Sequence, residues 1–100
     1  MWRVRVYYFY MMELKGVITG KVQRVGYRDF IQIAALELGL MGYVKNNDDG
    51  SVSVCAQGEP ESLRLLVEYL HEGSLLARVD GVAVEWGTAM VTYSDFSLLK

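Results

Sequence analysis

The sequence predicts an α+β sandwich, two helices on one face of an antiparallel sheet. Three observations predict it. Short segments alternate apolar and polar residues at the period of a half-buried strand. Two longer segments, 28–39 and 58–73, carry apolar stripes at helical spacing. The order of these segments is strand, helix, strand, strand, helix, strand, with a final strand after them.

The elements follow in chain order. In "ELKGVIT", 13–19, Leu14, Gly16 and Ile18 share one side. "GKVQRVGY" follows as a loop. "RDFIQIAALELG", 28–39, is rich in Ala, Leu, Glu and Gln, and places Phe30, Ala34 and Leu38 at i, i+4, i+8 with Ile31 and Ala35 beside them. Gly39 is a C-terminal stop. "GYVKN", 42–46, and "SVSVCAQ", 51–57, read as a hairpin turned at Asp49-Gly50. In 51–57, Val52, Val54 and Ala56 face one way and Ser53, Cys55 and Gln57 the other. "GEPESLRLLVEYLHEG", 58–73, takes Pro60 in its first turn and buries Leu63, Leu66, Val67 and Leu70. "RVDGVAVEW", 78–86, and "TYSDFSLL", 92–99, complete the sheet. This is the split βαβ, ferredoxin-like plan, which hosts many unrelated functions.

The chain has 100 residues, 52% of them hydrophobic, and suits one domain with one core. Its net charge of −2 excludes a general electrostatic pull toward nucleic acid or an anionic membrane, so an anion must be held locally. A single cysteine, Cys55, and a single histidine, His71, exclude an internal disulfide, a cysteine-built zinc site and a histidine cluster. The composition fits a reducing cytoplasm, and a monomer is expected. The front segment "MWRVRVYYFYMM", 1–12, is too short to span a bilayer and lacks a signal-peptide pattern. It reads as an extension before a domain at 13–100. It is either an extra strand or arm, or an over-extended start ahead of Met11 or Met12.

Two stretches carry chemistry. "GKVQRVGYR", 20–28, leads from a strand into a helix, where unpartnered N–H groups and the helix dipole favour an anion. Gly20 and Gly26 let the backbone turn its amides inward. Arg28 adds a planar, permanently charged fork. The plainer reading is a connecting turn with a solvated arginine. In "GYVKNNDDGSV", 42–52, Asn46 stands before the hairpin tip, where its amide is suited to hold a water, although such residues commonly serve the turn itself. "NNDDG" lacks the spaced ligands of a calcium loop. Cys55 has no histidine nearby in its pattern, and the aromatic cluster at 7–10 matches no base-stacking motif.

Together the two stretches resemble the acylphosphatase family. The first matches its G-x-V-Q-G-V-x-[FY]-R signature at Gly20, Val22, Gln23, Val25, Tyr27 and Arg28. The second matches G-[FYW]-[AVC]-[KRQ]-N-x3-G-x-V-x5-G at Gly42, Tyr43, Val44, Lys45, Asn46, Gly50, Val52 and Gly58. "LLARVDGVAVEW" is similar to the family's fourth-strand region. The resemblance implies a small enzyme without metal or cofactor, hydrolysing carboxyl-phosphate anhydrides to a carboxylate and phosphate. Arg28 would bind the phosphate, the amides of Gln23, Arg24, Val25, Gly26 and Tyr27 would surround it, and Asn46 would orient the attacking water. One position departs: Arg24 stands where the family has glycine. If that position has positive φ, a side chain costs about 1 kcal/mol or more. Arg24 either disturbs the loop, leaving an anion-binding module with weak or no turnover, or points outward and adds positive potential at the site mouth.

Overall fold

The computed structural model describes residues 11–100. Readings that fall on residues 1–10 lie outside the described residues. The elements are β1 (Met12–Lys21), α1 (Tyr27–Glu37), β2 (Met41–Asn46), β3 (Val52–Gly58), α2 (Pro60–Glu72), β4 (Arg78–Thr88) and β5 (Phe96–Leu99). β1 thus opens at Met12, one residue inside the segment read as an extension.

The five strands form one sheet in the order β4-β1-β3-β2-β5. The first four pair antiparallel, as the alternation predicts. β5 does not: it runs parallel to β2, with Gly42 opposite Phe96 and Lys45 opposite Leu99. The physical reason is the path of the chain. It leaves β4 at one edge and must cross the sheet to reach the other. Residues 92–95, expected as strand, serve that crossing. The Tyr93 N–H donates to Gln57 Oε1 at 3.1 Å instead of joining a ladder, and the Tyr93 ring meets Tyr43 edge-on at 5.7 Å. The sheet is therefore mixed.

Both helices pack on one face, over Leu14, Ile18, Val44, Val52, Val54 and Ala56. From α2 come Leu63, Leu66 and Leu70, all fully buried, each worth about 1.5–3 kcal/mol of transfer free energy as an upper bound. From α1 come Tyr27, Ile31, Ala34 and Ala35. The buried stripe therefore runs through Tyr27 and Ile31 to Ala34 and Ala35, rotated from the predicted line of Phe30, Ala34 and Leu38, whose end residues are only half-buried. Phe30 sits at the rim, edge-on to Tyr69. Pro60 opens α2, and Gly39 and Gly73 follow the two helices with positive φ.

The other face bears Ser53, Cys55 and Gln57, as the alternation predicts, but Cys55 and Gln57 are buried. The crossing segment meets Gln57, whose Nε2 donates to the Val91 carbonyl, while Glu13 Oε1 of β1 accepts from Gln57 Nε2 at 3.1 Å and from the Cys55 thiol.

Candidate functional site

The loop between β1 and α1 is shaped by two glycines. At Gly20, φ is 124° and β1 shifts register against β4; a Cβ there would stand 2.2 Å from the Arg78 carbonyl oxygen. Only glycine fits. Gly26, with φ 76°, is the residue from which α1 starts. No atom would crowd a Cβ at Gly26, so its requirement is conformational alone. The Phe30 N–H is the first in this helix with a backbone acceptor, Gly26 O, at 3.1 Å. The amides just before it belong to the unpartnered first turn.

Facing this helix end is a cavity of about 200 Å3, lined by Val22, Arg24, Gly26, Tyr27, Arg28, Asp29, Asn46 and Leu98. Five of the seven residues singled out from the sequence are on this wall: Arg24, Gly26, Tyr27, Arg28 and Asn46. Gln23 and Val25 are not.

Arg28 is half-buried, and its Nη1 donates to the Leu99 carbonyl oxygen. One turn later, Gln32 Nε2 donates to the Phe96 carbonyl at 3.0 Å. Residues four apart share a helix face, so α1 holds β5 at both ends and β5 in turn fixes the Arg28 guanidinium. Asn46 ends β2 opposite Val52. It shares the helix-side face with Gly42 and Val44, which aims its side chain toward the start of α1. Its Oδ1 is buried and accepts no hydrogen bond among the described residues.

Gln23 occupies a different position. Its side-chain amide donates to the carbonyls of Asn47, at 2.7 Å, and Ser51, at 2.8 Å. It latches the loop to the β2–β3 hairpin. The hairpin is itself braced. Asn47 Nδ2 donates to the hydroxyls of Ser51 and Ser53, and Asp49 Oδ1 accepts from the Ser51 amide and hydroxyl. The Ser51 bonds hold the Asp49 carboxyl below its ordinary pKa. Val25 turns its carbonyl to the Ser74 hydroxyl at 2.8 Å. Tyr27 sends its ring into the core and donates from its hydroxyl to the Leu70 carbonyl at 2.7 Å; burial pushes that phenol's pKa up.

Arg24 has φ 61°, the one positive φ outside glycine among the described residues. The conformation that makes a side chain costly is therefore adopted. The sequence reading did not find Asn47, Ser51, Ser74 or Leu99. Asn47 and Ser51 were visible only as turn residues. Ser74 and the Leu99 carbonyl carry no sequence signal, since one follows a helix stop and the other is main chain.

Cys55 lies on the far side of the sheet. Its thiol donates to Glu13 Oε1 at 3.2 Å, and burial, with that carboxylate, pushes its pKa up to about 12. Such a thiol is inert as a nucleophile at neutral pH. A larger cavity of about 420 Å3 also opens on that face, between Lys15, Val17, Tyr43, Ser53, Ala83 and Glu85. It contains none of the predicted site residues. Among the described residues no helix is long and apolar enough to cross a membrane.

Comparison with known proteins agrees with this fold. The Acylphosphatase family model matches residues 14–98. An acylphosphatase of Thermus thermophilus is 51% identical over 77 residues, covering 77% of this chain and 88% of the relative. The crystal structure of acylphosphatase from Bacillus subtilis superposes with a TM-score of 0.86 at 32% identity, covering 89% of this chain and 99% of that one. Full-length HypF, in its phosphate- and nucleotide-bound form, also aligns, at a TM-score of 0.80 and 27% identity, but the match spans only 13% of that longer chain. The chain belongs to the acylphosphatase family.

Proposed function

We propose that the chain hydrolyses small acyl phosphates, with Arg28 and Asn46 as its catalytic residues. The observation that carries this reading is the buried, unpartnered Asn46 Oδ1 on the same cavity wall as the Arg28 guanidinium and the start of α1. Buried polar atoms are nearly always satisfied, so an acceptor left open at a cavity marks a place for a donor.

The substrate phosphate sits at the α1 N-terminus, where first-turn amides and the helix dipole receive it. Arg28, one N–H committed to Leu99, presents its others to the phosphate oxygens. Asn46 Oδ1 accepts from a water and turns its oxygen lone pair toward phosphorus. That oxygen bonds to phosphorus as the bridging P–O bond breaks. The bond's electron pair leaves with the carboxylate, and the water's proton passes to a phosphate oxygen. Because a carboxylate leaves readily, no general acid is required. Positioning and charge stabilisation supply the acceleration. In this reading the acylphosphatase domain occupies 13–100 and acts as a monomer in a reducing cytoplasm.

A second reading, an anion-binding module without turnover, draws on the strained Arg24. Benzoyl phosphate hydrolysis without added metal separates the two. Turnover by the wild type, lost by at least about 100-fold in Arg28→Gln and Asn46→Ala, is expected. Phosphate binding with no turnover supports the module. Activity retained by both variants overturns the site.

A further inference from the structure

The site carries two arginines in different situations. Arg28 is half-buried and tethered to Leu99. Arg24 is exposed, yet lines the same cavity. Two ion pairs are present among the described residues, Arg64–Glu61 and Arg78–Asp80, and Arg24 is in neither. Asp29 is the one carboxylate on the cavity wall, and it is not within ion-pair distance of Arg24. An uncompensated positive charge thus stands at the solvent side of an anion site.

The backbone makes this charge conspicuous. Arg24 is held at φ 61°, where glycine would be relaxed and a Cβ is unfavourable. Strain of this kind gathers at ligand clamps, where the side chain has a use. With the phosphate seated against Arg28 and the helix amides, Arg24 is the exposed cation, unpaired among the described residues, left on the same cavity wall for a second charge on the substrate.

We propose that Arg24 is a specificity-determining residue, which selects acyl phosphates whose acyl group bears a second anionic group. The proposal rests on the acyl-phosphate reading above. A neutral acyl group gains nothing from a guanidinium several ångströms from phosphorus. An anionic one gains a screened Coulomb attraction, which across about 8 Å at a protein surface amounts to roughly 5-fold in kcat/KM.

The test compares benzoyl phosphate with 3- and 4-carboxybenzoyl phosphate on the wild type, Arg24→Met and Arg24→Lys. The readout is the ratio of kcat/KM for each carboxylated substrate to that for benzoyl phosphate. Intrinsic reactivity differences cancel when this ratio is compared between proteins. Arg24→Met is expected to lower it about 5-fold for at least one carboxylated substrate, whatever happens to benzoyl phosphate itself. Arg24→Lys is expected to retain most of it. In the wild type the ratio should fall in 0.5 M potassium chloride, as screening requires. Equal ratios in wild type and Arg24→Met, with benzoyl phosphate turned over, overturn the proposal and leave the acyl-phosphate reading standing. No turnover of any substrate by the wild type overturns both.

Discussion

The side-chain nitrogen of Gln23 lies 2.7 Å from the Asn47 carbonyl oxygen and donates to it, while its second hydrogen serves Ser51. One side chain therefore joins the loop that leads to Arg28 with the hairpin that begins at Asn46. The distance between the proposed phosphate anchor, Arg28, and the proposed water anchor, Asn46, depends on this latch. Gln23→Ala should lower kcat by about 10-fold or more, because misplacement of about 1 Å is costly to a positioned reaction. It should also lower stability by about 1–2 kcal/mol, the net worth of two hydrogen bonds. Gln23→Glu, which cannot donate, should behave alike at neutral pH. Steady-state kinetics beside urea melts check both.

Ser74 works from behind the loop. Its hydroxyl fixes the Val25 carbonyl at 2.8 Å, and the Val25–Gly26 peptide is trans. Its N–H therefore points opposite to that carbonyl. Ser74→Ala should weaken inorganic phosphate binding by about 3- to 10-fold, and Ser74→Thr should restore it. Calorimetric titration with phosphate measures this. Equal affinity in all three proteins contradicts the role.

Backbone strain at Arg24 predicts a stability gain on its removal. Arg24→Gly relieves the left-handed conformation, so thermal unfolding should move up by about 4 °C, equivalent to about 0.5–1 kcal/mol. An unchanged or lower midpoint contradicts it.

Cys55 sets an alkaline limit. Its pKa rises from the ordinary 9.0 to about 12 in the folded chain. The native state then keeps a proton that the unfolded state loses, so the contribution is fully present below pH 9 and declines as pH rises toward 12. Cys55→Ser should flatten that decline in denaturant titrations. In the native wild type the thiol should resist iodoacetamide at pH 7 and react after unfolding.

What the sequence made legible, and what it did not, divides along a physical line. The stripe Leu63, Leu66, Val67 and Leu70 announced α2 because burial repeats with the helix period. Arg28 and Asn46 could be paired only through the resemblance of their two stretches to the acylphosphatase signatures; on their own residues, one reads as a solvated arginine and the other as a turn residue. The latch of Gln23 was not legible, since its acceptors are main-chain carbonyls 24 and 28 residues away, and any residue there supplies one. Strand β5 was overextended for a related reason. Tyr93 has strand chemistry, but its N–H is spent on Gln57, a tertiary partner no local pattern reveals. The left-handed backbone at Arg24 ran against its propensity and showed only as a departure from a family glycine.

The most direct measurement is benzoyl phosphate hydrolysis in 18O-labelled water, with the products read by mass spectrometry for the wild type and Asn46→Ala. A water aimed at phosphorus by Asn46 predicts label in phosphate and none in benzoate, and a rate at least about 100-fold lower in the variant. Label in benzoate, or an Asn46→Ala rate equal to the wild type's, would contradict it.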